Sequence, residues 1–289
     1  MADVEFSLKD SGILLPNVRK QGRMNVCYAY STGEAVSALF AKEFSEPPVE
    51  LSIQQIADLL PINFNYENRL HRTDEVGCYF GSHVDALLYA RDFGLFKECD
   101  YPRRGSRNKD DIPPIPDKPR YRIGHANRVC IAGDPHRKDS ERLVTAEEIN
   151  RVLAYQPMVG AIDIYDSFAN FKGDGVYMGR IAKERNQGGH SILIIGWGIK
   201  DGIEYYLIKN TWGENWGDGG YAKVRRDLVY MLTYPEGVDK VGNHYEDYNS
   251  SETKKEKGKC APGSSETKKE KGKGAPSSGG SRKGKEKAR

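Results

Sequence analysis

Residues 21–31 read QGRMNVCYAYS and place a cysteine, Cys27, at the start of a predicted helix. The helix is predicted over about 26–44, because apolar side chains recur there at intervals of roughly 3.6 residues. A helix N-terminus stabilises a thiolate through its dipole and its free N–H groups. Taken alone, this stretch indicates either a reactive thiol or a buried structural one.

Two further stretches place polar side chains at the ends of β-rich runs. Residues 188–198 read GGHSILIIGWG, so His190 begins an apolar strand beside two glycines. Residues 206–221 read YLIKNTWGENWGDGGY, so Asn210 closes a strand before two Trp-Gly pairs. A polar strand end or a glycine-rich turn explains each stretch alone, but the three stretches in this order are far more specific.

Helices are predicted mainly in the first half of the chain. Ser52 with Gln55, and Thr145 with Glu148, have the spacing of capping boxes. Pro61 is expected to end the second helix. After the first helix, the predicted ranges are about 52–60, 82–93 and 145–157.

Short β-rich runs separated by Gly, Asp and Asn follow, and they predict antiparallel strands. The runs are 159–164, 191–197, 204–209 and 221–225. Helices followed by strands predict an α+β protein in two lobes, with the boundary in the polar, proline-rich stretch 103–120.

The composition is that of an ordinary globular body with a basic tail. Of the 289 residues, 38% are hydrophobic and 29% charged, and no apolar run approaches the about 18 residues of a membrane span. No membrane partner is therefore expected, and the first 25 residues lack the features of a secretory signal. Residues 250–289 hold 13 basic and 5 acidic side chains, whereas the remainder is mildly acidic.

The tail, 243–289, is predicted to be disordered because Lys, Glu, Gly and Ser dominate it. Residues 250–262 repeat almost unchanged as 264–276. Its lysine clusters raise the hypothesis of nucleic-acid contact or nuclear targeting. Glutamates interleave with the lysines and no aromatic residue follows Tyr248, so a solvated tail is favoured, although contact with nucleic acid stays open.

The cysteines indicate neither a zinc site nor a full set of disulfides, and no metal or other cofactor is expected. Their number is odd and no two have the spacing C-x-x-C, so at least one thiol must stay free. The five are Cys27, Cys78, Cys99, Cys130 and Cys260. Cys99 and Cys130 could pair with each other or with nothing.

Together the three stretches resemble the papain and cathepsin family of cysteine peptidases. Q-G-x-x-x-x-C-[WY]-A-[FY]-S, G-H before an apolar strand, and N-[ST]-W-G-x-x-W-G-x-x-G-Y all match, and the resemblance covers roughly 12–230. It implies a papain-like two-lobe fold with the active site in the cleft. The peptidase domain is expected over 1–242, with a helical left lobe mainly at 20–105 and an antiparallel β-barrel-like right lobe mainly at 115–235.

The resemblance implies a catalytic role for four residues. Cys27 would be the nucleophile, and His190 would hold it as a thiolate and protonate the leaving amine. Asn210 would orient the imidazole of His190. The side-chain amide of Gln21 would form the oxyanion hole together with the backbone N–H of Cys27.

The resemblance also implies substrate-binding roles for Gly81, Gly189 and Trp212. Gly81 would offer its backbone to a substrate residue upstream of the scissile bond. Gly189, with Ala161, would border the pocket for a substrate side chain, and Trp212 would shield the His–Asn hydrogen bond from water. Phe80 departs from the family, which usually has a glycine there, and so puts ordinary subsite geometry in question.

The family's three disulfides are missing from this chain. Met24 replaces a cysteine that normally pairs with the one matching Cys78, Leu59 stands at a second cysteine position, and no cysteine lies between Cys130 and Cys260. Their absence favours a reducing compartment, the cytoplasm or nucleus. A vacuole, a lysosome or the extracellular fluid is the alternative if this chain lacks a leader that its gene encodes.

The spacing of the catalytic residues indicates two insertions. His190 and Asn210 lie 163 and 183 residues after Cys27, beyond the about 130–150 of this family. Insertions near 63–75 and 103–128 absorb the difference. The match begins almost at the first residue, so no inhibitory propeptide is expected.

Two hypotheses for the function remain. The first is an active cysteine endopeptidase acting on peptide or protein substrates through an acyl-enzyme, with a protein inhibitor as a further candidate partner. The second is a catalytically inactive papain-like domain that serves as a binding module. The altered sequence before Cys27 and the missing disulfides motivate the second, whereas the complete set of mechanistic residues favours the first.

Overall fold

The structure, a computed structural model, describes residues 3–66 and 72–238, and this part contains five α-helices and eight strands. The helices are α1 (Cys27–Phe44), α2 (Ile53–Asn63), α3 (His83–Phe93), α4 (Ala146–Tyr155) and α5 (Asp166–Ala169). The strands are β1 (Val4–Ser7), β2 (Ile123–Val129), β3 (Met158–Asp163), β4 (Val176–Tyr177), β5 (Gly189–Lys200), β6 (Ile203–Lys209), β7 (Tyr221–Arg225) and β8 (Tyr230–Val238). All four predicted helices and all four predicted strands form.

One of the two predicted capping boxes is confirmed and the other is wrong. Thr145 accepts a hydrogen bond from the Glu148 N–H at 3.2 Å, and the Glu148 carboxylate accepts one from the Thr145 N–H at 2.8 Å. Ser52 likewise accepts from the Gln55 N–H at 3.0 Å. The Gln55 amide, however, turns into the core, where it bonds the Tyr89 hydroxyl and nearby backbone groups that no water reaches.

Pro61 does not end α2, which continues to Asn63. A proline inside a helix removes one N–H donor, and its cost is offset here by tertiary packing. The Pro61 side chain is buried, and its carbonyl accepts a hydrogen bond from the N–H of the fully buried Tyr66 at 2.9 Å.

The strands form one eight-stranded sheet in the order β2-β8-β3-β5-β6-β7-β4, with β1 paired to β5. The predicted antiparallel pairing is confirmed among the four predicted strands, and only β4 runs parallel to its neighbour β7. The register places His190 opposite Ile162 on β3. Four strands were not foreseen, because β1, β2, β4 and β8 carry weak or very short apolar patterns.

Three apolar clusters hold these elements together. The first gathers α1, α2 and α3, and the second fills the sheet beneath α4 and α5. In the third, Ala35, Ala38 and Ala41 of α1 lie against Val159 and Leu193 of the sheet. The helix that begins with Cys27 is therefore buried on both sides, and it joins the helical part of the molecule to the sheet.

Three cysteines are free thiols in the described part of the chain: Cys27, Cys78 and Cys130. The pairing of Cys99 with Cys130 that the sequence leaves open is therefore not made. No helix among the described residues is both long and apolar enough to cross a membrane. The predicted tail, 243–289, lies outside the described residues.

Candidate active site

Cys27 lies at the N-terminus of α1, directly after the N-cap residue Val26. No side chain caps this end of the helix. The N–H of Ala29 bonds the Val26 carbonyl at 2.9 Å, whereas the N–H of Tyr28 is one of the donors to the Cys27 sulfur. The backbone N–H of Ser191, on β5, donates to the same sulfur at 3.4 Å.

His190 and Asn210 come together from the ends of two adjacent strands. His190 is the second residue of β5, and Asn210 directly follows β6. The His190 Nε2 donates to the Asn210 Oδ1 at 2.7 Å, which leaves Nδ1 for the Cys27 sulfur. The N–H of Thr211 also donates to the Asn210 Oδ1, at 2.8 Å, and so fixes the orientation of the amide.

The pKa of Cys27 is lowered although the residue is half-buried. Burial by itself raises this pKa, because a thiolate loses solvation inside the protein. The attraction and hydrogen bond of His190 act against burial, and the N–H groups of Ser191 and Tyr28 add to them. The surroundings therefore shift the Cys27 thiol towards the thiolate, which is the reactive form of a cysteine nucleophile.

Aromatic rings cover the hydrogen bond between His190 and Asn210. The Trp212 ring lies 4.6 Å from the His190 ring, and Phe168 contacts Trp212 edge-on at 5.6 Å. The Trp216 indole N–H donates to the Phe168 carbonyl at 2.9 Å and holds that segment in place. As a result His190 and Asn210 are only 3% and 2% exposed, so water competes little for their bond.

Gln21 is held so that its amide has a fixed direction. Its Oε1 accepts from the Thr211 hydroxyl at 2.6 Å, and its Nε2 donates to the Met24 carbonyl at 3.0 Å. The backbone N–H of Gln21 donates to the Thr211 carbonyl at 2.8 Å. One amide N–H of Gln21 remains for a ligand, as an oxyanion hole requires.

The two glycines predicted to bind substrate differ in their surroundings. A Cβ on Gly81 would lie 2.6 Å from the Tyr28 ring, so only glycine lets this backbone approach the residue after the nucleophile. Gly189 is exposed, and a Cβ there would lie 3.5 Å from the Tyr230 hydroxyl. Phe80 precedes Gly81 with 48% of its surface exposed, which places an aromatic ring beside this backbone.

Three residues of the site were missed by sequence reasoning. Thr211 occupies the [ST] position of the asparagine motif, and that position was the available signal for its role. Ser191 acts on Cys27 through its backbone N–H, which no residue type reveals. His83 bonds the Ser191 hydroxyl at 3.0 Å across 108 residues of chain, and nothing in the sequence points to this contact.

Among residues 3–66 and 72–238, no group of three or more His, Cys, Asp or Glu side chains is placed to hold a metal ion. A cavity of about 620 Å³ lies elsewhere, between β2, β8 and α4. It contains none of the predicted site residues.

The family model of the papain family cysteine proteases matches residues 3–238. The chain belongs to the papain family of cysteine proteases. The match spans the helices and the whole sheet, and it confirms the resemblance drawn from the three sequence stretches.

Curated relatives of this papain-family chain include a cathepsin L-like proteinase of Phaedon cochleariae. It is 30% identical over 82% of this chain and 63% of the relative. The cathepsin B-like cysteine proteinase 3 of Caenorhabditis elegans is 24% identical over 80% of this chain and 64% of its own length. The chain thus spans less than two thirds of the length of these relatives.

Solved structures show the same fold. A Carica candamarcensis cysteine protease in complex with E-64 matches with a TM-score of 0.59 and 20% identity, covering 81% of this chain and 98% of that one. The proform of Amb a 11, a cysteine protease and ragweed pollen allergen, matches with a TM-score of 0.62 and 23% identity. This second match covers 82% of this chain and 59% of the Amb a 11 chain. The papain-like α+β fold is therefore established for the described residues.

Proposed function

We propose that this chain is a cysteine endopeptidase that hydrolyses peptide bonds through an acyl-enzyme. The observation that carries the proposal is the continuous contact from the Cys27 sulfur to the His190 imidazole and on to the Asn210 amide. These groups come from α1, β5 and β6, three elements that pack rigidly against one another. A nucleophile, a base and an orienting group held in this way are the requirement for acyl transfer.

Each protein group has a defined part in the reaction. The Cys27 thiolate attacks the peptide carbonyl carbon and forms a tetrahedral oxyanion. The imidazolium of His190 gives its proton to the leaving amine, so that the C–N bond breaks and a thioester remains. Water then attacks the thioester with His190 as general base, and the acid product leaves as the thiol is regenerated.

The oxyanion hole consists of the Gln21 amide and the backbone N–H of Cys27. Gln21 supports this assignment because its oxygen and one amide N–H are already bonded to Thr211 and Met24, which fixes the remaining N–H. Donors that are already oriented stabilise the transition state without reorganisation, and the loss of one costs about 10²–10³ in rate in comparable enzymes.

The substrate lies, in this proposal, between Gly81 and Gly189 as an extended peptide or protein segment. The close approach of Gly81 to Tyr28 brings its backbone next to the nucleophile, which suits hydrogen bonding to a substrate backbone. The partners are accordingly peptides or proteins, and a protein inhibitor that fills the same cleft. Residence in the cytoplasm or nucleus stays a prediction.

Thiol labelling tests the proposal directly. The full-length, reduced protein is treated with an epoxide-type label for thiol proteases, and the adduct is located by mass spectrometry. We expect rapid labelling of Cys27 alone, because its pKa is lowered, whereas burial raises the pKa of Cys78 to about 12 and also raises that of Cys130. Labelled enzyme should lose turnover on peptide pools.

Two variants complete this test. Cys27→Ser should abolish both labelling and turnover, with a loss of about 10⁴-fold or more in kcat/KM. Cys130→Ser is the matched control and should change neither. If Cys27 reacts no faster than Cys130 in folded protein, the catalytic pair is not assembled, and the chain acts as a binding module instead.

A further inference from the structure

The loop that leads to Cys27, residues 20–26, positions both donors of the proposed oxyanion hole. It contains Gln21 and delivers the backbone N–H of Cys27, and we call it the nucleophile loop. On its sheet side it is bonded to Thr211 through both the backbone and the side chain of Gln21. Gly22 has φ of +67°, so the loop turns sharply through a conformation that favours glycine.

Asp74 holds the far end of the nucleophile loop. Its Oδ2 accepts the backbone N–H of Asn25 at 2.7 Å. Its Oδ1 accepts the N–H groups of Val76 and Cys78 at 3.0 and 2.8 Å. One carboxylate thus bonds the nucleophile loop to the segment that continues to Gly81, and charge-assisted hydrogen bonds of this kind are stronger than neutral ones.

Arg103 holds the near end of the same loop. Its Nη1 donates to the Lys20 carbonyl at 3.0 Å and its Nη2 to the Gln21 carbonyl at 2.5 Å. The guanidinium also lies over the Tyr30 ring at 5.6 Å, which restricts where the fork can point. Two consecutive carbonyls held by one planar group fix the direction of the peptide, a task that lysine cannot perform.

These two side chains come from the two insertions that the sequence indicates, 63–75 and 103–128. Asp74 acts where the resemblance implies a missing disulfide, since Met24 stands in the nucleophile loop and Cys78 is a free, fully buried thiol. Asp74 bonds the N–H of Cys78 and the N–H of the residue after Met24. It therefore makes a non-covalent connection between the same two segments.

We propose that Asp74 and Arg103 are positioning residues that hold the nucleophile loop from both ends and thereby direct the Gln21 amide and the Cys27 N–H at the oxyanion. Neither side chain touches the reacting atoms, so both act through the loop. The inference rests on the proposed peptidase function, and it adds two residues to the machinery of that site. A displacement of about 1 Å can cost about 10²-fold in rate, so such residues affect turnover strongly.

The chain supplies a matched control for Asp74. Glu75 forms an ion pair with Arg23 at 2.7 Å, which connects the same two segments one residue further along. Both side chains are largely exposed, 72% for Arg23 and 62% for Glu75, and exposed pairs contribute little. Glu75→Gln should therefore leave the site unchanged.

The Asp74→Asn variant separates the loop contact from the local turn. Its amide oxygen can keep the two bonds to Val76 and Cys78, but the NH₂ group then faces the N–H of Asn25 and cannot accept it. For Arg103, the Arg103→Met variant keeps the stem and removes both donors to the loop. The Arg103→Lys variant restores the positive charge but offers a single ammonium nitrogen in place of the planar fork that meets both carbonyls.

Full-length variants are compared in three assays: peptide turnover, affinity for a peptide aldehyde, and alkylation of Cys27 by iodoacetamide. An aldehyde forms a tetrahedral adduct with the thiol and so reports on the oxyanion hole, whereas alkylation reports on the thiolate alone. We expect Asp74→Asn and Arg103→Met to lower kcat and aldehyde affinity by about 10- to 100-fold. KM, the alkylation rate and its pH profile should stay within about twofold, and Arg103→Lys should lie between Arg103→Met and the unmodified chain.

Two results would overturn the inference. One is that Asp74→Asn and Arg103→Met match Glu75→Gln in turnover and aldehyde affinity. The other is that alkylation of Cys27 falls in parallel with turnover, which indicates a general loss of structure.

If the unmodified chain turns over no peptide, the proposed function fails. Hydrogen exchange then tests whether Asp74 holds the Asn25 N–H. Faster exchange of the Asn25 amide in Asp74→Asn but not in Glu75→Gln supports it, and equal exchange in both overturns it.

Discussion

At the scale of single residues, a comparison of Cys27 with Cys78 shows how His190 affects the pKa of the Cys27 thiol. Cys78 is buried and Cys27 is half-buried, and the loss of solvation acts to raise the pKa of each thiol. For Cys78, with the carboxylates of Asp74 and Asp58 nearby, the pKa rises to about 12. For Cys27, the pKa is lowered, and His190 makes the largest of the contributions that oppose burial. The reactivity of Cys27 therefore depends on the imidazole more than on the helix terminus.

His83 is a second buried histidine, one hydrogen bond away from the site. Its Nε2 lies 2.7 Å from the Met231 carbonyl, which can only accept, so this nitrogen carries the proton. The neutral ring then accepts from the Ser191 hydroxyl at Nδ1. Burial lowers the pKa of His83 to about 4, although the Met231 carbonyl and the carboxylates of Asp85 and Asp134 act in the opposite direction.

The stability of the protein should therefore depend on pH through His83. The pKa in the folded state, about 4, lies below the ordinary value of about 6.5, so the folded state disfavours the proton. The contribution to stability is complete above about pH 6.5 and is lost as the pH falls towards 4. Urea unfolding across this window should show a loss of about 3 kcal/mol that the variant His83→Gln does not show.

A matched control distinguishes this effect from general acid sensitivity. His125 lies on β2 and is exposed. His125→Gln should retain the full pH dependence of unfolding between pH 6.5 and 4. If His83→Gln retains it as well, the buried imidazole is not the source of the acid sensitivity.

At the scale of elements, a buried ion pair connects α1 to β6. Lys209, which directly precedes Asn210, is 1% exposed and pairs with Glu34 of α1. Lys209 also donates to the Leu15 carbonyl at 2.5 Å. Burial lowers the pKa of Lys209, and the attraction of Glu34 opposes this shift. The helix that begins with Cys27 is thus bonded to the strand that leads directly to Asn210.

Breaking this pair from one side should be costly. Lys209→Met leaves the Glu34 carboxylate buried without its cation, and we expect a loss of about 3–5 kcal/mol in the free energy of unfolding. The double variant Lys209→Met with Glu34→Gln removes both charges and should recover most of that loss. Chemical denaturation of the unmodified chain, both single variants and the double variant measures the coupling. Equal stability of Lys209→Met and the double variant would contradict the expected recovery.

At the scale of the whole molecule, α1 is shared between two cores. One face packs in the cluster of the helical part, and the alanine face, Ala35, Ala38 and Ala41, lies against the sheet. Alanine has no side chain beyond Cβ, so the helix approaches the strands closely. Through this contact the position of Cys27 relative to His190 is set by the packing of the entire chain.

Enlarging a residue of this alanine face should therefore affect both stability and catalysis. We expect Ala38→Leu to cost about 1–3 kcal/mol through overpacking and to slow labelling of Cys27 as α1 shifts from the sheet. Ala154→Leu, at an exposed position of α4, is the control and should change stability by less than about 0.5 kcal/mol. Denaturation and thiol labelling measure the two effects, and unchanged labelling in Ala38→Leu would contradict this account of the site.

The elements that local patterns predicted are those whose determinants are local. The capping box of Thr145 and Glu148 lies within four residues, and it forms as predicted. The side chain of Gln55 and the continuation of α2 past Pro61 depend on buried partners from distant segments, so the sequence pattern predicted both wrongly. The short strands β1 and β4 are defined only by the partners they pair with.

The family and the α+β class could be read from the sequence alone, and so could the prediction of Cys27, His190, Asn210 and Gln21 as site residues, because each sits in a contiguous motif. Only the tertiary structure decided what holds these groups in place. Ser191 reaches the thiol across 164 residues, His83 reaches Ser191 across 108, and Arg103 reaches the nucleophile loop across more than 80. The contacts of Ser191 with the thiol and of Arg103 with the loop use backbone groups, which leave no pattern in the sequence, since every residue has a carbonyl and every residue except proline has an N–H. The contact of His83 with the Ser191 hydroxyl joins two side chains that only folding brings together.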